Sequence, residues 1–213
     1  TKVPANELAL GYRWINDNWR DEPLLHDGIY GAMGGMITSL ESFSKYVAFH
    51  QSAWPPRNDA ERGPVKRSSV REMHRLWQIN TLLPTYKYPD GRACPVVTGY
   101  GYGLSHTEDC EGRVIVAHSG GLPGFGSNWR IVTEYGIGVI LFANVTYAPT
   151  GGVNLRVLDT LIRGAKLKPY SLPPSNILKE KQAALVKLLP KWNNAEASGI
   201  FAENFFTDYP IDT

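Results

Sequence analysis

Two cysteines, Cys94 and Cys110, are all that the 213-residue chain carries. So low a count excludes a disulfide-rich scaffold. One bridge or two thiols both fit, with free thiols the expectation, and the compartment stays open. An excess of one charge is lacking too. Lys and Arg number 22 against 20 Asp and Glu, a net +2, which gives no electrostatic footprint for nucleic acid or a membrane surface. No apolar run approaches the ~20 residues of a membrane span. The opening Thr1-Lys2-Val3-Pro4 does not read as a signal peptide, and internal repeats and low-complexity tracts are absent. What is left is a chain long enough for one good core with a small appendage.

The core centres on the stretch from Arg113 to Asn144. Three strands are expected in succession, at about Arg113–His118, Ser127–Thr133 and Ile137–Ala143. A glycine-rich corner follows the first, and a turn at Glu134-Tyr135-Gly136 follows the second. Alternation puts Val114, Val116 and His118 on one face of the first strand and Ile115, Ala117 and Ser119 on the other. The third, Ile-Gly-Val-Ile-Leu-Phe-Ala, has no polar side, so it is expected to be covered on both faces and to lie inside the sheet.

Upstream, a hairpin is expected around Asn16-Asp17-Asn18, followed by a glycine-marked loop to Met36. Thr38 and Glu41 form a capping box for a helix to about Gln51, with Leu40, Phe43 and Val47 as its stripe. Ser69 and Glu72 suggest a second, running to about Asn80. Leu83–Val97, with three prolines, reads as a surface loop where selectivity could sit. Tyr100, Tyr102 and Leu104 suggest a strand joined through the Asp109–Gly112 turn to the one that ends in His118. Downstream, Val153, Val157, Leu158 and Leu161 predict a helix at about Val153–Ala165. Pro169–Pro174 has the composition of a linker, and Ser175 caps a helix over Asn176–Leu189. The segment from Lys191 onward carries Phe201, Phe205 and Phe206.

The candidate chemistry lies at His118-Ser119-Gly120-Gly121. A strand end with small residues lets a substrate lie against the backbone and aims an amide N–H at a developing oxyanion. Other signals are weaker. His26, His50, His74 and His106 lack metal-like pairing, which favours solvated or structural roles. Gly120–Gly126 lacks the lysine and following helix of a phosphate loop, and the six tryptophans are not interleaved with basic residues.

Several blocks together resemble the second half of the class C β-lactamase-related serine hydrolases. They are Gly34-Gly35 before a capped helix, Tyr102-Gly103-Leu104, His118-Ser119-Gly120-Gly121-Leu122-Pro123-Gly124-Phe125, and Gly136 to Asn144. The likeness covers roughly Leu8 to Ala165. That family, which includes penicillin-binding-protein-like carboxypeptidases and esterases, uses Ser-x-x-Lys, Tyr-x-Asn and Lys-Thr-Gly, the last often His-Ser-Gly. The resemblance places the third motif on His118, Ser119 and Gly120, and an oxyanion amide on Gly121. No Tyr-x-Asn occurs among the eleven tyrosines. Ser42-Phe43-Ser44-Lys45 is a decoy. At about 100° per residue, Lys45 stands about 200° from Phe43 and faces water, and only 76 positions separate Ser42 from His118.

The resemblance therefore implies an α+β fold, an antiparallel sheet flanked by helices, with the N-terminal half of the domain absent. Residues 1–168 would be the C-terminal portion of a β-lactamase-like hydrolase domain. Residues 169–190 would be linker and helix, and 191–213 the start of a following region. The implied activity is acyl transfer on an ester, peptide or β-lactam amide, with no metal or organic cofactor and no activity of the chain alone. The expected partners are that substrate and the missing half-domain, with self-association through exposed apolar surface. Two rival readings are a non-catalytic peptide- or ligand-binding relative and a structural fragment that shares the sheet.

Overall fold

A computed structural model of the chain describes residues 3–26, 28–170 and 173–211. Asn16 and Asp17 both take positive φ, 49° and 58°, the left-handed pair that a tight two-residue hairpin needs. They join β1 (Gly11–Ile15) to β2 (Asn18–Glu22) in the expected hairpin. A short helical turn, α1 (Gly31–Gly34), follows. Around it Leu24, Leu25, Ile29, Tyr30, Met33, Met36 and Ile37 are exposed. Helix α2 (Leu40–Gln51) starts one residue later than the Thr38 box suggests, because the Ser39 hydroxyl accepts from the Ser42 N–H at 3.1 Å.

The main sheet has six antiparallel strands in the order of the chain. They are β3 (Gln78–Leu83), β4 (Val96–Gly101), β5 (Leu104–Asp109), β6 (Val114–Leu122), β7 (Phe125–Val132) and β8 (Ile137–Ala143). Helix α2 covers one face, where Val47 packs with Leu104, Val116, Trp129 and Ile131. Helix α4 (Thr150–Gly164) covers the other, where Leu155, Leu158 and Ile162 pack with Ile115, Val132, Tyr88 and Cys94. Val116 and Ile115 thus fall on opposite faces, as alternation requires. Val116 and Ile131 are fully buried, and each contributes about 2 kcal/mol.

Four sequence expectations need correction. The second helix, α3 (Arg67–Met73), stops well short of Asn80, and the residues from Gln78 form β3 instead. All six β3 side chains are exposed, so the strand shows no apolar alternation to read. Residues 84–95 form the expected surface loop, mostly exposed, but it is anchored to the core by Tyr88 and Cys94, 3% and 0% exposed. The cysteines are not free thiols: Cys94 and Cys110 form a disulfide. Strand β8 is an edge strand, apolar on both sides because α2 and α4 sandwich it there. In α4 the inner stripe is Asn154, Leu155, Leu158, Asp159 and Ile162, while Val153, Val157 and Leu161 face outward.

The chain divides into two compact units, Thr1–Tyr170 and Ser171–Thr213. Within the second, Ser175 caps α5 (Asn176–Leu188), its hydroxyl accepting from the Leu178 N–H at 3.2 Å. Beyond it lie single helical turns and α6 (Phe205–Asp208). An aromatic cluster of Trp192, Phe201, Phe205, Phe206 and Tyr209 holds this segment together.

Candidate active site

Strand β6 is the longest in the sheet, and its two halves differ. Residues 115–117 pair with β5 on one side and β7 on the other. Beyond Ala117, β5 has ended, because the chain turns back at Tyr102-Gly103 into β4. His118–Leu122 continue paired to β7 alone. Among the described residues no strand lies along the other edge of this tip. His118, Ser119, Gly120 and Gly121 are all exposed. The four predicted residues therefore form one open backbone edge at the end of the sheet.

The tip is held from several directions. His118 Nε2 lies 3.0 Å from the Tyr100 hydroxyl on β4. The Asn128 amide donates to the His118 carbonyl at 3.4 Å, and Asn128 Oδ1 accepts from Arg130 Nε at 3.1 Å. Arg130 also donates to the Gly151 carbonyl at the start of α4, and burial pushes its guanidinium pKa down. Asn154, fully buried on α4, donates to the Asn128 carbonyl at 2.9 Å. A row of neutral amides thus ties the helix to the strand behind the motif.

The corner after β6 is clamped to the N-terminal hairpin. A Cβ on Gly11 would stand 2.7 Å from the Gly124 Cα, so the two backbones touch where only glycine fits. The Thr146 hydroxyl accepts from the Gly124 N–H at 2.8 Å and donates to the Tyr12 carbonyl at 3.1 Å. Asn144 and Thr146 also share backbone hydrogen bonds with Tyr12. At Gly121 a Cβ would stand 2.6 Å from Cδ1 of Tyr147, whose ring lies on the strand backbone.

Ser42 and Lys45 are both exposed on the outer side of α2, as the helical-wheel argument requires. Residues 84–95 lead into Val96, which pairs with Asp109 at the far end of the sheet from His118. Sequence reasoning missed Tyr100 and Tyr147 as neighbours of the motif. Tyr100 carried a strand signal only. Tyr147 carried no signal, because its position depends on the loop after β8.

Three of the histidines are not solvated but form a buried cluster. The Trp54 indole N–H donates to His74 Nδ1 at 3.0 Å, and His74 Nε2 lies 2.9 Å from His50 Nδ1. An indole nitrogen only donates, so His74 accepts at Nδ1 and carries its proton on Nε2. His50 then accepts at Nδ1 and carries its proton on Nε2, which is buried without a partner among the described residues. His106 Nδ1 donates to the His74 carbonyl at 2.8 Å. Burial pushes the His50 pKa down to about 4. His74 falls to about 3 through burial, with His50 and His106 adding to it. Each ring has a structural partner, and among the described residues no group of three or more His, Cys, Asp or Glu is placed to hold a metal ion.

An antiparallel sheet between two helices, with a His-Ser-Gly-Gly tip open at its edge, defines a β-lactamase-like α+β fold. Residues 3–162 match the family described as Beta-lactamase, and the chain belongs to that family. It is also similar to the unguisins hydrolase of Aspergillus campestris (strain IBT 28561), at 25% identity over 150 residues. That match covers 69% of this chain but 25% of the relative, so the chain spans about a quarter of that protein's length. No solved structure matches the chain.

Proposed function

We propose that this chain contributes the substrate-binding strand of a serine hydrolase that works by acyl transfer on an ester, peptide or β-lactam amide. The observation that carries the reading is the one-sided pairing of His118–Leu122, which leaves backbone groups and small side chains available to a substrate. A serine outside this segment, activated by a lysine and a tyrosine, attacks the carbonyl. The oxyanion that forms accepts hydrogen bonds from two backbone amides, one of them that of Gly121. The leaving group departs with a proton, and water then hydrolyses the acyl-enzyme. His118, held by Tyr100, offers a hydrogen bond where relatives with lysine offer a fixed charge. This favours neutral esters and small amides over carboxylate-bearing β-lactams. The relative's name makes unguisins its substrate, which supports hydrolysis as the reaction class.

The test is covalent labelling by a fluorophosphonate and by a penicillin. The chain alone should take up neither. Joined to an upstream segment with Ser-x-x-Lys and Tyr-x-Asn, it should take up one equivalent, on that serine. Gly121→Pro should then slow acylation by about 100-fold, the scale of one lost oxyanion donor, with circular dichroism confirming that the sheet survives. Labelling of Ser42 or Ser119 in the chain alone overturns the assignment.

A further inference from the structure

We infer that Tyr147 is a specificity-determining residue of this site, presenting its ring to an aromatic side chain of a peptide laid along the open edge of β6. The inference rests on the reading of that edge as the substrate site and adds the class of side chain it selects.

Gly121 and Gly126 face each other across β6 and β7. Directly opposed residues share a face, so two missing side chains leave a flat trough there. The segment after β8 fills it. Ala148 covers Gly126, where a Cβ would meet the Ala148 backbone nitrogen at 3.0 Å, and the Tyr147 ring covers Gly121. Tyr147 is fixed from behind: its N–H donates to the Phe125 carbonyl at 3.2 Å, and Thr146 beside it bonds Gly124 and Tyr12.

Packing against glycine does not by itself account for a tyrosine. Tyr147 adopts φ +48°, a region that costs a non-glycine residue free energy. It also leaves 65% of its surface in water. A strained, rigidly backed aromatic with most of its ring uncovered is poised to gain from being covered. Its position sets what can cover it. Ser119 and Gly121 lie on the face that Tyr147 borders, and a strand added at the open edge sends alternate side chains to that face, spaced by about 7 Å. One of them meets the Tyr147 ring. Offset or edge-on contact between two rings favours an aromatic side chain there over an aliphatic one.

Binding and hydrolysis are measured separately, so that this inference and the acyl-transfer reading fail differently. Binding uses the 213-residue chain and two neutral probes, acetyl-Phe-Ala-amide and acetyl-Ala-Ala-amide, followed through the amide resonances of Gly120, Gly121 and Gly126. The phenylalanine peptide should bind at least fivefold more tightly. Tyr147→Phe should keep the preference. Tyr147→Asn, which tolerates the positive φ, should reduce it to less than twofold while the remaining amide spectrum holds. An unchanged preference in Tyr147→Asn, or no binding of either peptide up to its solubility, overturns the inference. Hydrolysis of the matching esters is measured in the chain joined to its nucleophile segment. Absence of turnover there, with the binding preference intact, removes the acyl-transfer reading and leaves the Tyr147 assignment standing.

Discussion

The two ends of β6 are built on opposite terms. At its start, the Arg113 just before the strand is 3% exposed and held between carboxylates. Its guanidinium donates to Asp109 at 2.7 Å and to Asp159 at 3.1 Å. Asp109 also accepts from the Tyr88 hydroxyl at 2.7 Å, and Arg92 and Arg163 close the network on Asp159 and Glu111. Burial alone would raise the Asp109 pKa, but the hydrogen bonds from Tyr88 and Arg113 hold it below the usual carboxylate range. The Cys94–Cys110 disulfide sits at the same end. At the other end, four consecutive exposed residues have one strand partner and almost no side-chain bulk. The sheet spends its covalent and ionic cross-links at the end away from His118, and so can leave the His118 end open.

The largest expected effect is at the locked end. Arg113→Ala leaves Asp109 a buried carboxylate without a cation, Asp159 keeping Arg92 and Arg163, and should cost about 4 kcal/mol of stability, read from denaturant melts. His118→Ala, which breaks one exposed contact, should cost under about 1 kcal/mol. Comparable losses for the two would dissolve the contrast between the ends.

Acid probes the wall behind the sheet. His50 and His74 have folded pKa values below the unfolded histidine value, so the unfolded chain binds more protons as pH falls. Their stabilisation is complete above about pH 6.5 and declines as pH drops through their folded values of about 4 and 3. By pH 5 the loss should reach about 2 kcal/mol per ring. A double His50→Gln, His74→Gln variant should flatten the melt-versus-pH curve between pH 7 and 5. A slope as steep as that of the unsubstituted chain would assign the acid sensitivity elsewhere.

Removing the disulfide sharpens the comparison further. Its cysteines are 16 positions apart, so replacing both by serine should cost about 3 kcal/mol. Thermal melting measures this, and amide shifts at Gly120 and Gly121 should stay in place. The smallest effect concerns selectivity at the open end. In the chain joined to an upstream segment that carries the proposed Ser-x-x-Lys, His118→Lys should shift the kcat/KM ratio toward a carboxylate-bearing β-lactam over a neutral ester by about fivefold, the scale of one partly solvated charge pair. No shift would show that residue 118 does not face substrate.

How much of this was legible in the sequence depended on whether a residue's neighbours were local. Alternation and turn chemistry suffice for the succession of β6 to β8 and for the Asn16-Asp17 hairpin, although β6 runs past its expected end at His118 to Leu122. Strand β3 escaped because its residues are exposed throughout, so no period distinguishes it from the helix before it. The inner face of α4 escaped because Val153, Val157 and Leu161 are as apolar as Leu155, Leu158 and Ile162. Only Asn154 reaching Asn128, and Asp159 reaching Arg113, show which side faces in. The apolar run in β8 correctly signalled cover on two faces, but cover by helices says nothing about which strands flank it. The disulfide and the Tyr147–Gly121 contact join segments that no spacing rule connects.

Mechanically, the last five residues of β6 are a cantilever. They are supported along one side by β7 and pinned beyond the far end at Gly124, where the Thr146 hydroxyl takes the N–H and gives its own proton to the Tyr12 carbonyl, and where the Gly11 backbone packs against the turn. A beam held this way is stiff along its length and compliant sideways, toward its unsupported edge. A ligand that forms hydrogen bonds along that edge supplies the missing second rail, so binding should straighten and stiffen the beam at Gly121, the amide proposed for the oxyanion. The stiffness of the site would then come partly from the ligand, and would be greatest for a ligand long enough to run from His118 to Gly121.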